Sequence, residues 1–425
     1  MNLKRWPLHI WLFTALVVSL YLPYFFSSLS IALFVIYAVV KTRYRRPGER
    51  FTRRYGLPIL FTLYFLVALL SVLYSDNRSE GWQALGNMLS FLVVPWAIVS
   101  FSVAEQQQML RGASRWFILS TLLVSIYFFG AFLFLNTGVL LLQLILPAGL
   151  ETSLDIELLS VRQLSTVYMH PGYLSLYLGI AVMMSISRFT ASRSTWKSLY
   201  FVCLAVLFFT LMFFLQSRMT VFALIFVAMV YLISLPRYRK IAFPAVFAVI
   251  LLSWLAIRYA PEELAGRYGE FKSLEYEKDD QDFNGITVRL AIWDEVLSII
   301  REQPVLGTGL GDYRQEIVDR FRESGFNKGI LSRLDPHNQY LSTWVAMGLP
   351  GLLTLILIFY LLIVPSYRRG QRLAFAVSLF FALSAISESI LIRHWGIVML
   401  SSLVFLRAYI PIRKKEEYAI EKTEE

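Results

Sequence analysis

Residues 341–364 read LSTWVAMGLPGLLTLILIFYLLIV, a run without a charged side chain that is closed by Arg368 and Arg369. A helix that crosses a bilayer needs about 20 predominantly apolar residues, with a range of about 17–25, so this stretch reads as a membrane span. Outward from it, the same criterion selects 8–23, 26–40, 57–74, 85–104, 115–135, 168–187, 197–215, 219–235, 240–258, 372–391 and 394–411. The expectation is an all-α polytopic membrane protein of about twelve transmembrane helices. Composition agrees: 57% of the 425 residues are hydrophobic and 16% are charged, where a soluble domain carries about 25% charged residues. Mean hydropathy is +0.58. These values exclude a soluble globular enzyme, a disordered chain and a disulfide-stapled secreted domain. The one cysteine, Cys203, allows neither an internal disulfide nor a cysteine-based metal site.

The net charge of +11 does not point to nucleic acid, because the basic residues lie in short clusters between apolar blocks. The clusters are Lys41 with Arg43, Arg45, Arg46, Arg50, Arg53 and Arg54; Arg188/Arg193/Lys197; Arg237/Arg239/Lys240; Arg368/Arg369/Arg372; and Arg413/Lys414/Lys415. With an even span count and the N-terminus inside, all of them fall on the cytoplasmic side, as the positive-inside rule requires. Lys4-Arg5 before an apolar run resembles a signal peptide, but no small-residue cleavage site follows, so the expectation is a retained first helix. The first two spans read as a hairpin turning near Tyr24–Ser28. The chain thus divides into 1–258 with nine spans, a large external loop over 259–340, three more spans over 341–412 and a cytoplasmic tail over 413–425. A smaller external loop, 136–167, carries Glu151, Asp155 and Glu157.

The large loop is expected to be helical. Asn284 or Thr287 can cap a helix in which Ile292, Trp293, Val296, Ile299 and Ile300 recur at helical spacing, with Pro304 ending it. Gly307-Thr308-Gly309-Leu310-Gly311 then reads as a tight turn rather than a dinucleotide loop, because no strand–turn–helix context surrounds it. A second helix is expected over Tyr313–Arg322, and Asp335-Pro336-His337-Asn338 breaks the chain before the tenth span.

Polar residues that can carry chemistry concentrate on the outer side. Of the four histidines, His170, His337 and His394 fall there and His9 at the inner end of the first span. Histidine suits proton transfer near neutral pH; His337 reads either as such a group or as a helix cap. Arg218 opens a span on the side where positive charge is least favoured, and reads as an anion site or as a snorkelling helix-end residue. Arg289 projects from the amphipathic loop helix, as a phosphate ligand or a solvated face residue; guanidinium groups bind phosphate through paired donors. His170-Pro171-Gly172 caps or kinks span six, with a substrate role as the alternative. Glu388, Arg393 and His394 form a polar corner that reads as a structural ion pair. HExxH does not occur, and no metal and no cofactor are expected.

Together these segments resemble the O-antigen ligase/polymerase superfamily over about residues 200–365: Ser217-Arg218 opening a span, Arg289-Leu290-Ala291-Ile292-Trp293, Pro304-Val305-Leu306-Gly307 through Tyr313, Pro336-His337-Asn338-Gln339-Tyr340-Leu341, and Gly348-Leu349-Pro350-Gly351-Leu352. The resemblance implies a GT-C-like, metal-independent, inverting membrane glycosyltransferase that takes a glycan from undecaprenyl pyrophosphate at the periplasmic face of the bacterial inner membrane. It further implies that Arg218 and Arg289 hold the donor pyrophosphate and that His337 activates the acceptor hydroxyl. His170 and Asn338 are further candidate substrate-binding residues. The implied partners are the lipid-linked donor, a lipid or glycan acceptor such as lipid A–core, and membrane lipids. The length and span count favour a ligase. The stretch Tyr168-Met169-His170-Pro171-Gly172-Tyr173 keeps a repeat-unit polymerase open. A lipid-glycan flippase is the alternative of a different class; it would bury ionisable residues midway through spans.

Overall fold

The computed structural model describes residues 6–43, 55–145, 169–259, 286–326, 329–330 and 335–410. The expected basic stretch 44–54, the loop around Glu151–Glu157, Asn284, the first part of the large loop and the tail lie outside these residues. The protein is an all-α polytopic membrane protein, and among the described residues there is no strand.

The helices are α1 (Leu8–Val18, continued by a 3₁₀ turn over Ser19–Tyr21), α2 (Tyr24–Arg43), α3 (Gly56–Leu73), α4 (Arg78–Val99), α5 (Val103–Ile145), α6 (Pro171–Ala191), α7 (Thr195–Phe214), α8 (Arg218–Ile233) and α9 (Arg239–Arg258). They continue with α10 (Thr287–Glu302), α11 (Tyr313–Glu323), α12 (Gln339–Arg368), α13 (Arg372–Ser384), α14 (His394–Met399), a π-helical turn over Leu400–Val404, and α15 (Phe405–Tyr409). Seven of these, α2 to α7 and α12, are long and apolar enough to cross a membrane by length and composition. Shorter apolar helices cover Leu8–Tyr21, Arg218–Ile233, Ala242–Leu255 and Arg372–Ser384.

Successive helices run back and forth, which sorts their connections to two ends. At the end where α12 begins lie the 3₁₀ turn, residues 74–77, His170, the 215–217 turn, α10, residues 335–338 and the 385–393 connection. At this end Ser27, in the first turns of α2, bonds His394 at the start of α14 at 2.7 Å. At the opposite end, Lys41 pairs with Glu105, and Gln371 Nε2 donates to the Ile410 carbonyl. The described members of the basic clusters, from Lys41 and Arg43 to Arg368, Arg369 and Arg372, stand at that second end.

The most enclosed helix is α6, buried continuously from Pro171 to Ser185. Helices α5, α7, α8 and α13 pack around it. Gly179 permits the approach of α13: a Cβ there would stand 2.2 Å from Phe380 Cζ. A small residue at such a crossing lets two helices approach closely, and here it brings the end of α13 over the start of α6.

Helix α10 buries Ala291, Ile292, Val296, Ile299 and Ile300 as the apolar spacing requires, and packs on α12. Its N-cap is Ile286; Thr287 is the first helical residue rather than the cap. The glycine stretch after it is a clasp. Thr308 N–H donates to the Val345 carbonyl at 2.8 Å and Gly309 N–H to Ala346 at 3.1 Å, while Leu349 N–H returns to Pro304 at 3.1 Å. This docking uses a break in α12 at Gly348, whose φ of 62° is left-handed. A Cβ there would meet the Val305 carbonyl oxygen at 2.0 Å. On its other side the clasp grips the α3–α4 turn: Ser75 Oγ accepts from Gly311 N–H at 3.1 Å. Asp312 accepts from the amides of Asp76 and Asn77 at 2.8 and 2.7 Å. The glycines therefore serve backbone-to-backbone packing.

Several span boundaries differ from the sequence reading. Helix α4 covers Arg78–Val99 where 85–104 was expected, and α5 covers Val103–Ile145, beyond both ends of 115–135 and into the expected loop 136–167. The first hairpin turns at Ser19–Pro23, and Tyr24–Ser28 already belongs to α2; Pro23 cannot continue the preceding ladder. Helix α13 stops at Ser384, leaving 385–393 outside it where the apolar count runs the span to 391. Ser387, Glu388 and Ser389 interrupt that stretch and are held by side-chain and backbone partners.

Candidate functional site

The 385–393 connection lies across the segment that enters α12. Gln339 N–H donates to the Ala385 carbonyl at 2.8 Å, and Leu391 N–H donates to Gln339 Oε1 at 2.6 Å. Ser389 Oγ accepts from Asn338 N–H at 3.2 Å and donates to Asp335 Oδ1 at 3.2 Å. Trp293 Nε1 donates to the Pro336 carbonyl at 2.8 Å, which ties α10 to the same place. Backbone and second-layer contacts thus fix three elements against one another before any ionisable side chain is considered.

Into this frame projects His337, with a φ of 46°. Left-handed backbone at a residue other than glycine costs about 1–3 kcal/mol and persists where its surroundings impose it. The imposing contact is its own N–H, which donates to Asp335 Oδ1 at 2.7 Å. Its Nδ1 lies 3.4 Å from Glu388 Oε2 and 3.5 Å from Asp335 Oδ1. The other Glu388 oxygen, Oε1, lies 3.6 Å from Arg289 Nη2. Arg289 Nε is buried with no hydrogen-bond partner among the described residues. His170 caps α6, its Nδ1 accepting from Gly172 N–H at 3.2 Å. A Cβ at Gly172 would stand 3.2 Å from Glu388 Cδ, so the bare glycine makes room for the carboxylate.

Burial acts to lower the His337 pKa. The hydrogen bond to Glu388 and the charges of Asp335 and Glu388 outweigh it, and the imidazole holds its proton above the ordinary value even against Arg289. For Glu388, burial acts to raise the pKa, and the hydrogen bond and charge of His337, with Arg289 and His170, bring it below the usual carboxylate range. His170 is pushed the other way, downward, chiefly by burial, so the two histidines stand in opposite protonation tendencies.

The structure therefore gathers Arg289, His337 and His170 around Glu388. Asn338 is beside them as the N-cap of α12, its Oδ1 accepting from Tyr340 and Leu341 N–H at 3.0 and 3.2 Å. Arg218, half-buried, opens α8 at the same end, two residues after Gln216, whose φ is 56°. Helix α8 packs on α6 and α13, which carry His170 and the Glu388 turn. Among the described residues, Gln216 and His337 are the non-glycine positions with positive φ. Each sits within two residues of a candidate site residue.

The polar corner expected of Glu388, Arg393 and His394 is divided. Glu388 turns to His337 and Arg289, whereas His394 turns to Ser27 and the Tyr24 ring. The sequence reading passed over Ser389; the signal was the triplet Ser387-Glu388-Ser389 within an otherwise apolar stretch. Among the described residues no group of three or more His, Cys, Asp or Glu side chains is arranged to hold a metal ion.

An all-α bundle with a cluster of ionisable groups at one end defines a polytopic membrane protein with a polar site at the rim of its spans. Residues 203–356 match the family described as O-antigen ligase, so this segment belongs to the O-antigen ligase/polymerase superfamily. Arg218, Arg289, His337 and Asn338 lie inside the matched residues; His170 and Glu388 lie outside them. The family is that of a glycosyltransferase-like enzyme. The chain is also similar to an uncharacterized protein of Haemophilus influenzae, 30% identical over 114 residues, covering 26% of this chain and 29% of that protein.

Proposed function

We propose that the protein transfers a glycan from undecaprenyl pyrophosphate to an acceptor hydroxyl, with lipid A–core as the acceptor, at the periplasmic face of the inner membrane. The observation that carries this reading is the meeting of His337 and Arg289 on the two oxygens of one carboxylate, at the end opposite the basic clusters. By the positive-inside rule the basic clusters belong in the cytoplasm, so the site faces outward, where a lipid-linked donor presents its pyrophosphate at the membrane edge.

In the proposed reaction the acceptor oxygen attacks the anomeric carbon. Its proton passes to His337, and the bond from that carbon to the pyrophosphate oxygen breaks with its electron pair leaving on the pyrophosphate. Attack opposite the leaving group inverts the centre. Arg289 and Arg218 offset the charge that develops on the leaving group, and an arginine is suited to this by its planar, paired donors. No step requires a metal ion. Transfer by the purified protein should persist in excess EDTA; activity lost to EDTA and restored by magnesium would overturn that part.

A deletion strain tests the acceptor. Loss of a ligase leaves long lipid-linked polymer unattached to core, whereas loss of a polymerase leaves one repeat unit attached. The polymerase reading is kept because His170 stands against Glu388 through Gly172. Orientation is tested separately by Ser324→Cys in a Cys203→Ala background. An impermeant thiol reagent should label it in intact spheroplasts; labelling only after disruption would reverse the assignment of faces.

A further inference from the structure

Glu388 lies outside the matched family segment and outside every motif that carries the resemblance, yet two of the three groups given chemical roles above, His337 and Arg289, converge on it. Its side chain is 19% exposed. A carboxylate so enclosed costs several kcal/mol unless it is paired, and it has partners of two kinds on its two oxygens. Neither contact is tight. At 3.4 and 3.6 Å both exceed the roughly 2.7–2.9 Å of a closed charge-assisted hydrogen bond, so a small movement strengthens one or the other.

We propose that Glu388 is the positioning residue for His337: Oε2 holds Nδ1 and leaves Nε2 as the lone-pair nitrogen for the acceptor hydroxyl, while Oε1 tethers Arg289 until the donor arrives. The inference rests on the function proposed above. Three observations support it. The carboxylates of Glu388 and Asp335 both lie on the Nδ1 side of the ring, and among the described residues Nε2 has no hydrogen-bond partner. A carboxylate on one ring nitrogen fixes which tautomer the imidazole adopts. Gly172 provides the space in which the Glu388 side chain lies. Finally, the Glu388 turn is locked to the His337 segment by contacts that do not involve the carboxylate, through Ser389, Gln339 and Ala385. The separation of the two side chains is therefore set by the backbone, and removing the charge leaves the frame standing.

The experiment is ¹⁵N NMR of histidine-labelled protein in nanodiscs, with the His337 signal assigned by its loss in His337→Ala. The charged and titratable groups facing His337 are Glu388, Asp335, Arg289 and His170. The expected result is a neutral His337 protonated at Nδ1, and in Glu388→Gln a titration midpoint moved to lower pH. In the same variant, turnover should fall on the order of 10²-fold, within the range a general base supplies. KM for the donor should be unchanged or lower because Arg289 is released. Glu388→Asp should recover part of the turnover. A neutral His337 protonated at Nε2 overturns the inference, as does a titration midpoint unmoved in Glu388→Gln, whatever the activity does. The wild-type tautomer measurement decides the point even if the variant does not fold. Normal transfer by folded His337→Ala overturns the proposed function instead, and the tautomer result is then read independently of it.

Discussion

Two carboxylates, one at each end of the bundle, are held in different ways. Glu105, at the basic end, receives Lys41, the Ser102 amide at 2.9 Å and the Ser102 hydroxyl at 2.8 Å. Those contacts cap α5 and fasten it to α2, and the two from Ser102 are of ordinary hydrogen-bond length. Glu388 receives His337 and Arg289 at 3.4 and 3.6 Å, although it is embedded among four elements. A carboxylate whose task is to join helices draws its donors in until its lone pairs are filled. One whose donors are restrained elsewhere stays incompletely bonded, and its donors remain available to a third party. On the function proposed above, the first is a fastener and the second belongs to the site.

The comparison breaks most sharply at His337. His337→Ala should lower turnover about 10²–10⁴-fold with little change in donor binding, since a general base acts mainly in the transition state. Equal turnover per folded molecule, with a lower melting temperature, would assign the histidine to structure. Arg289→Ala and Arg218→Ala should each weaken donor binding and transfer together by roughly 10–100-fold, the equivalent of losing a charged hydrogen bond of about 1.5–3 kcal/mol. Lysine at either position should recover only part, which titration with a soluble pyrophosphate donor analogue would measure.

Gly348→Ala tests the clasp rather than the chemistry. A left-handed residue with a Cβ costs about 1–2 kcal/mol, and the 2.0 Å approach to the Val305 carbonyl adds to it. Thermal melting should show a loss of about 2 kcal/mol or more, with lower yield. Glu105→Ala should cost about 1 kcal/mol through a lost cap and pair and leave turnover unchanged. Any fall in turnover there would erase the contrast between the two carboxylates.

The smallest effect is a pH dependence with opposed limbs. The raised His337 pKa gives stability that is complete below the ordinary value of 6.5 and is lost as pH rises through the folded value. The depressed Glu388 pKa gives stability that is complete above 4.5 and is lost as pH falls through the folded value. Their joint contribution is greatest between pH 4.5 and 6.5. Turnover needs the neutral imidazole, so it should rise with pH across the interval in which that stability declines. Melting curves and rates measured across the same buffers would show both limbs, and Glu388→Gln should flatten the stability limb.

The spans were legible because a bilayer imposes a length and a polarity that few other structures share. Helix α10 was legible because its apolar positions recur at helical spacing and Pro304 stops it. Arg218, Arg289 and His337 were singled out by the side of the membrane on which they fall and by their motifs. The partner of Glu388 was not legible. Arg393 and His394 are its neighbours in sequence, and the reading paired it with them. The actual partners are 51 and 99 positions away and reach it through packing of α13 on α6 and α10 on α12. The end of α13 was missed for a related reason. Counting apolar residues credits Ile390, Leu391 and Ile392 to a helix, although the intervening serines and Glu388 find their bonds in another segment.

The clasp over 304–311 has a consequence for variation. Its bonds to α12 run chiefly through main-chain amides and carbonyls, which every residue type except proline supplies, and it reaches the α3–α4 turn through Ser75 Oγ and the Asp312 carboxylate. Val305 and Leu306 point outward, 59% and 61% exposed, and take no side-chain part in it. The side chains at 305 and 306 are thus free to be exchanged, while the bare positions 307, 309, 311 and 348 are not. A graft of the corresponding loop from a protein that matches the same family over residues 203–356 should seat whenever those hydrogen atoms and the Asp312 carboxylate are kept, with little regard to what the rest of the clasp spells.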